Sequence, residues 1–344
     1  MSQTQPQSTA TNDNDHDHDA TNNNKSSSSP QSGLGLKSEL TNAEKIERRV
    51  KERNSWSTFF DPSPFAVAKM LISRCIYQAK IPPKKVLDQI LPIRPLQFES
   101  LSSPPKNNSK TIQATWIGHA TVLCQMGGWN IITDPMFSNR CSPSQYAGPK
   151  RYRKAPCTIR QLMIEEDIPI HVVLISHNHY DHLDVHSVKS IAACAIEKKK
   201  NSNHTYTPVT FVVALGLKDW FLRYIPDSCR GGNSVVELDW HETHCLEDHH
   251  HDGGGGDIGD NKSPLTITGL PAQHWSNRYG WDKDKTLWCG FGVTLTSSSS
   301  PSSSSSTSLL KFMFCGDTGY FDDAYEIGNK YGPFDLAAIP SEYT

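Results

Sequence analysis

Three histidines and one aspartate fall within the six residues His177-Asn178-His179-Tyr180-Asp181-His182. Imidazole nitrogen and carboxylate oxygen are the ligand types that zinc takes in catalytic sites. Packing alone rarely asks for three histidines so close together, so the spacing points to metal binding rather than to an ordinary polar loop. The run follows His171-Val172-Val173-Leu174-Ile175, which has the pattern of a buried strand. A turn at the end of that strand can aim His177 and His179 at one metal ion, and Asp181 and His182 at another.

Such a site needs further ligands from elsewhere. His274, in Pro271-Ala272-Gln273-His274-Trp275, and Asp317, in Phe314-Cys315-Gly316-Asp317-Thr318-Gly319, each come just after a strand-like run. Alone, the first could be a packed histidine beside a tryptophan and the second a common turn. Both stand where an α/β fold gathers its active site. Asp317 is suited to bridge two ions, because one carboxylate offers an oxygen to each. Two metals about 3.5–4 Å apart turn a water into a strong nucleophile and stabilise charge on the group attacked. That chemistry fits hydrolysis of an ester, phosphoester or lactam, with Asp181 and Asp317 as the candidate catalytic carboxylates. His119 and Asp134 are candidates to orient ligand imidazoles from outside the ligand shell, although a turn or packing role suits either equally. No residue type or spacing singles out a substrate-binding residue. Asp15-His16-Asp17-His18-Asp19 and His249-His250-His251 also look metal-loving, but each lies in a polar tract without fixed geometry and reads as solvated chain.

The elements that must hold these residues are short β-type runs beginning at Thr111. Ile112 to Trp116 and Thr121 to Gln125 flank Gly118-His119, and Trp129 to Thr133 leads into Asp134-Pro135. After the histidine cluster, Ser187 to Lys198 reads as a helix and Val209 to Ala214 as a strand. Val235 to Leu238 and Leu265 to Thr268 continue the series. Phe291 to Leu295 and Leu309 to Phe314 predict a hairpin, and Asp335 to Ile339 a last strand. Strands alternating with helices predict a layered α/β domain over residues 111–344. Two tracts interrupt it and read as flexible inserts, 246–263 and the serine-rich 296–308.

Residues 1–40 are Ser, Asn, Asp, Thr and Gln with few large apolar residues, which predicts a disordered polar tail. Residues 41–110 form a separate helical and extended segment. Within it, 41–54 is rich in Lys, Arg and Glu and predicts a solvated helix. A second helix opens at Ser63-Pro64, a serine cap followed by proline, runs from Phe65 to Tyr77, and stops at Pro82-Pro83. Its apolar residues cover more than one face. They favour a helix packed on the core over one facing lipid.

A net charge of -2 lacks the basic footprint of a nucleic-acid binder. Nine cysteines, an odd number without a repeating interval, predict a reduced, intracellular protein rather than a disulfide framework. The polar N-terminus does not resemble a signal peptide. No apolar run approaches the roughly 20 residues that span a bilayer, so the chain is expected to be soluble or to sit on a membrane surface.

Several segments carry a family resemblance. Trp116-Ile117-Gly118-His119-Ala120-Thr121, Thr133-Asp134-Pro135, Ser142-Pro143-Ser144-Gln145-Tyr146 and Gly148-Pro149-Lys150-Arg151 belong to it, as does Leu174-Ile175-Ser176 joined to the cluster. So do Leu238-Asp239-Trp240, Gln273-His274-Trp275, Gly316-Asp317-Thr318-Gly319-Tyr320 and Gly332-Pro333-Phe334-Asp335-Leu336-Ala337. In order, over residues 50–340, the chain resembles the N-acylphosphatidylethanolamine-hydrolysing phospholipases D of the metallo-β-lactamase superfamily. The Ser-Pro-Ser-Gln-Tyr and Gly-Pro-Lys-Arg pieces are far more specific than the metal motif.

The resemblance implies an α/β fold of the metallo-β-lactamase type, an αββα sandwich, with two Zn2+ ions. His177, His179 and His274 would hold the first, Asp181 and His182 the second, with Asp317 bridging. It implies a phosphodiesterase that releases a fatty acid ethanolamide and phosphatidic acid from N-acylphosphatidylethanolamine. It further implies a phospholipid substrate, a peripheral place on the cytosolic face of a membrane or in the cytoplasm, a homodimer and an apolar channel. The lipid-facing reading of the helix from Phe65 to Tyr77 gains from it. The family pattern continues past Ile339-Pro340 to a late histidine that completes the second zinc site, whereas this sequence leaves the pattern at Ser341. The resemblance therefore implies a C-terminally truncated form, with the second half of the sandwich incomplete and the second site short of its last histidine. Two other functions compete: a hydrolase of a soluble phosphoester or lactone, and an inactive zinc- or lipid-binding form.

Overall fold

Every side chain of Val172–Ile175 is excluded from solvent, which requires cover on both faces of the sheet that holds it. In the computed structural model of the chain a second sheet covers one face and helices cover the other. The structure describes residues 39–341 apart from 62, 64, most of 67–80, 106–109, 201–205, 248–261 and 297–307.

The first sheet has the order β1-β2-β3-β4-β5-β6. Its strands are β1 (Ile112–Gly118), β2 (Thr121–Met126), β3 (Trp129–Thr133), β4 (Val172–Ile175), β5 (Thr210–Ala214) and β6 (Ser234–Leu238). β1 to β3 form an antiparallel meander, and β3 to β6 run parallel. Parallel neighbours need crossovers. Helix α4 (Val185–Lys200) makes the one between β4 and β5. Val188, Ile191, Ala192 and Ala195 form its buried stripe at helical spacing. Helix α5 (Lys218–Tyr224) and a short 3-10 turn (Pro226–Cys229) connect β5 to β6.

The second sheet has the order β11-β10-β9-β8-β7, from β7 (Thr243–Leu246), β8 (Leu265–Leu270), β9 (Gly290–Thr296), β10 (Ser308–Phe314) and β11 (Leu336–Ala338). The predicted hairpin is present as β9 and β10, whose Leu310 to Phe314 pair antiparallel with Leu295 to Phe291. β11 adds in parallel to β10. Leu123, Ile131, Val173 and Phe211 of the first sheet and Leu265, Ile267, Phe291, Val293 and Phe312 of the second share one core. Trp129 also ties the sheets together, its indole N–H donating to Ser263 O at 2.9 Å. The architecture is the layered α/β sandwich expected.

The expected solvated helix over 41–54 needs correction. Helix α1 (Asn42–Ser55) is present, and Thr41 and Glu44 close a reciprocal capping box at its start. Its inner face is buried rather than solvated, with Ile46 and Arg53 inside. Trp56, just beyond it, stacks on Trp240 and on Phe321. An arginine can be buried there because its donors are used, as described below. Two further short helices follow, α2 (Lys84–Ile90) and α3 (Phe98–Leu101), and α6 (Ala324–Tyr331) precedes β11.

Of the helix expected from Phe65 to Tyr77, only Phe65, Ala66, Lys69 and Ser73 are described, all helical. The Ser63 hydroxyl accepts the Ala66 N–H at 3.2 Å, as a serine cap should. The polar tail to residue 38, the three consecutive histidines and the interiors of both inserts lie outside the described residues. The eight described cysteines are all free thiols. Among the described residues no helix is long and apolar enough to cross a membrane.

Candidate metal centre

Five strand ends meet at one edge of the sandwich. β3 runs into Asp134, β4 into Ser176 and the histidine cluster, β8 into His274, β10 into Asp317, and the β1–β2 turn carries His119. The packing there is close. A Cβ on Gly316 would stand 2.7 Å from the Cβ of Ser176, so the residue before Asp317 has to be glycine, in a left-handed conformation with φ +60. Cys289 N–H, leading into β9, donates to Ser176 O at 3.0 Å and locks the two sheets together at this edge.

Three imidazole nitrogens converge. His177 Nε2 lies 2.8 Å from His179 Nδ1, and His274 Nε2 lies 3.2 Å from each. A point about 2.1 Å from all three exists on either side of that triangle, which is the bond length zinc takes to imidazole. Burial and the neighbouring histidines push the His177 pKa well down. Burial, with His179 next, brings His274 to about 3. Burial also lowers His179. All three are therefore neutral and keep a lone pair for a ligand.

The second cluster is His119, Asp181 and His182, whose ligand atoms lie within 4.8 Å of one another. Asp317 Oδ2 stands between the clusters, 3.1 Å from His182 Nε2 and 3.8 Å from His274 Nε2. The buried His182 Nε2 completes no hydrogen bond despite that neighbour. A polar atom in this position lacks the partner that a metal would supply. The donor set, imidazole and carboxylate on both sides, is one that zinc takes.

Asp134 lies behind both clusters, fully buried. Its Oδ1 accepts Ser176 N–H at 2.8 Å, and its Oδ2 accepts Ser176 Oγ–H at 2.6 Å and His182 Nδ1–H at 2.7 Å. Ser176 Oγ in turn is 2.8 Å from His177 Nδ1. With its own proton given to Asp134, the hydroxyl accepts from His177 Nδ1–H. Asp134 therefore sets the tautomer of two imidazoles, leaving both Nε2 atoms turned to the site. Burial opposes ionisation of Asp134 and raises its pKa, with the bond from His182 working the other way. Burial likewise opposes charge on His182, but the Asp134 and Asp317 carboxylates outweigh it and raise its pKa well above the usual value. For Asp181 and Asp317 burial again opposes ionisation. The hydrogen bond from His119 to Asp181, and His182 beside Asp317, outweigh it and lower both.

All the residues predicted from the sequence meet here: His177, His179, Asp181, His182, His274 and Asp317, with His119 and Asp134 beside them. Three arginines hold the site in place; Arg53 and Arg278 carried no sequence signal, and Arg151 stood out only as part of the Gly-Pro-Lys-Arg segment, with no role assigned to it. Arg53 of α1 donates to His274 O at 2.9 Å and to both oxygens of Asp284, and lies between the rings of Phe59 and Trp288. Arg278 donates to Asn178 O and Leu183 O, at the two ends of the cluster loop, and packs on Tyr180. Arg151 donates to Met136 O. Gly118, before His119, has φ +136, a conformation that favours glycine, and Arg151 Nη2 stands 2.5 Å from where a Cβ would be.

Two cavities adjoin the site. One of about 820 Å³ is lined by Trp116, His119, Asp181, Phe314, Asp317 and Ile339. The other, about 510 Å³, is lined by Leu270, Met313, Phe321, Ile327, Phe334 and Ile339. Ile339 to Ser341 form a wall common to both.

Residues 129–344 match the model of the β-lactamase superfamily domain. The chain is similar to N-acyl-phosphatidylethanolamine-hydrolyzing phospholipase D 1 of Caenorhabditis elegans, with 32% identity over 88% of this chain and 74% of the relative. It is similar also to the mitochondrial N-acyl-phosphatidylethanolamine-hydrolyzing phospholipase D of Saccharomyces cerevisiae, 29% identical over 74% of this chain and 44% of that longer protein. Among solved structures, a metallo hydrolase of Ignicoccus hospitalis overlaps 66% of this chain and 69% of its own at 20% identity and a TM-score of 0.36.

Proposed function

Since the chain belongs to the β-lactamase superfamily and, within it, to the family of N-acylphosphatidylethanolamine-hydrolysing phospholipases D, we propose that it is a zinc-dependent phosphodiesterase of phospholipid. Its substrate is N-acylphosphatidylethanolamine, and its products are an N-acylethanolamine and phosphatidic acid. The observation that carries this reading is the convergence of three imidazole nitrogens 2.8–3.2 Å apart, with Asp317 Oδ2 between them and a second cluster. In this reading His177, His179 and His274 would hold one zinc and Asp181 and His182 another, with the Asp317 carboxylate available to either. Two bound metals supply a nucleophile from water at neutral pH and neutralise charge on the phosphate. Asp134 keeps His182 and, through Ser176, His177 in the tautomer that presents Nε2. Asp181 and Asp317, both held ionised, are the carboxylates at the reacting centre.

A lipid substrate is favoured over a soluble one by the apolar cavity that begins at the Asp317 loop, where Thr318, Gly319 and Tyr320 give way to Phe321 and Ile327. A place on a membrane surface is supported by Trp116 and Trp275 at the site and by Trp281, 81% exposed, because tryptophan is favoured at that interface. Cytosolic exposure and a homodimer follow from the family reading alone.

Assays of the zinc-loaded protein on N-acylphosphatidylethanolamine in mixed micelles and on soluble phosphodiesters and lactones test the substrate class. Release of N-acylethanolamine, lost in His179→Ala, is expected. Turnover of soluble diesters or lactones but not of the phospholipid would overturn the lipid reading.

A further inference from the structure

Two basic segments and the outer face of α2 lie side by side on the surface next to the metal centre. We propose that this face, built from residues 81–94 and an arm of residues 139–154, docks the protein on a bilayer of anionic phospholipid. The inference rests on the lipid-substrate reading above, but its test needs no turnover.

Positive charge is concentrated here. Between Asp134 and Glu165 the chain has six basic residues and no acid, although its net charge is -2. Residues 81–94 add Lys84, Lys85 and Arg94 against one acid, Asp88. That acid joins the two segments: its Oδ2 accepts Lys84 Nζ–H at 2.9 Å and its Oδ1 accepts Arg153 Nη2–H at 2.7 Å. Lys85, Arg94, Lys150 and Lys154 are exposed.

Basic residues alone would make an ordinary solvated face. These border exposed apolar side chains. α2 turns Leu87 inward, while Val86 and Ile90, one turn apart, stand out in solvent, Ile90 66% exposed. Leu91 and Ile93 continue the apolar surface. Apolar side chains flanked by lysine are the composition of a helix that lies in a membrane interface.

The arm is held out from the body. Cys141 N–H donates to Pro149 O at 3.2 Å, Arg151 N–H to Asn139 O at 3.0 Å, and Gln145 Nε2–H to Arg140 O at 3.0 Å. Tyr146 at its tip is 96% exposed, and Tyr152 at its base also faces solvent. Tyrosine is favoured at the membrane interface. At the root, Arg151 donates to Met136 O and lies against Gly118, so the arm leaves the surface beside the metal centre. Each Lys or Arg near an anionic leaflet strengthens binding roughly fivefold, a gain that a neutral leaflet does not offer. Phosphatidic acid, the product proposed above, is such a lipid, so docking strengthens as product accumulates.

Co-sedimentation of the full chain with vesicles tests this, using phosphatidylcholine alone and phosphatidylcholine mixed with phosphatidic acid. Wild type should bind the mixed vesicles at least about tenfold more tightly, and added salt should weaken that binding. Lys85→Gln, Lys150→Gln and Lys154→Gln together should weaken it roughly a hundredfold. The same change at Lys45, Lys51 and Lys330, on α1 and α6, should leave it near wild type. Val86→Ser with Ile90→Ser should also weaken it, and every variant should melt as wild type does. Equal binding to both kinds of vesicle, or wild-type binding by the variant lacking Lys85, Lys150 and Lys154, would overturn the proposal. So would self-association lost in Val86→Ser with Ile90→Ser and no vesicle binding, which would give the face to a second copy of the chain. Vesicle binding as expected from a chain that releases no N-acylethanolamine would support the docking face and count against the substrate reading alone.

Discussion

Asp134 is fully buried, yet two imidazoles of the site take their orientation from it, one directly and one through Ser176. Replacing one carboxylate oxygen by NH2 in Asp134→Asn leaves too few acceptors for the donors of Ser176 and His182. If the NH2 takes the Oδ2 place, it meets His182 Nδ1–H donor to donor and favours the wrong tautomer. We expect the variant to fold and to bind zinc about 10–100-fold more weakly, read by competition with a chromophoric chelator. Unchanged affinity would mean that Asp134 is only a packing group. At this scale the sequence was most informative about residues that would touch a metal, because histidine and aspartate advertise their chemistry by type and spacing. It was less informative about residues that act through others: Asp134 stood out as a candidate for that role, but a turn or packing role suited it equally. Ser176 precedes a histidine like any serine, and nothing adjacent to Gly118 in the sequence announces the Arg151 guanidinium lying against it.

Helix α1 shows the same limit at the scale of an element. Its run of Lys, Arg and Glu reads as solvated, and its outer face is: Lys51 and Glu47 pair in the open. Its inner face carries Arg53, whose partners Asp284 and His274 O lie more than two hundred positions away in sequence, beyond any periodicity argument. Removing one member of a buried pair strands the other, so Arg53→Met should destabilise the fold by about 3 kcal/mol. Equilibrium denaturation of the metal-free chain reads this, and a loss no larger than that of an exposed arginine such as Arg48 would contradict it. Strands were legible where their faces differ or where both are covered: Trp129–Thr133 has the ends expected of it, and most of the others agree within a residue or two. β7 was missed. Thr243-His244-Cys245-Leu246 lies at the sheet edge beside β8, half-exposed, and has no apolar pattern of its own.

For the molecule as a whole, acid sensitivity follows from buried neutral histidine away from the metal centre. His171, just before β4, accepts Asn130 N–H at Nδ1, 2.9 Å away, and burial brings its pKa down to about 3. The unfolded chain binds that proton from about pH 6.5 downward and the folded chain does not until about pH 3. The stability that neutral His171 contributes is therefore fully present above about pH 6.5 and is lost as the pH falls toward 3. At pH 5 the loss is about 2 kcal/mol. His171→Asn, which keeps an acceptor for Asn130, should lose less stability between pH 7 and pH 5 than wild type in the metal-free form. An equal loss in both would show that His171 is not the group responsible.

We propose that metal held at the converging histidines drives phospholipid hydrolysis. The most direct measurement is zinc content and N-acylethanolamine release on one preparation of the wild-type chain, before chelation, after it and after zinc is restored. We predict about two zincs per chain with release, loss of both on chelation and recovery of both with zinc. Release that persists in the zinc-free protein, or two zincs bound with no release from N-acylphosphatidylethanolamine, would contradict the account.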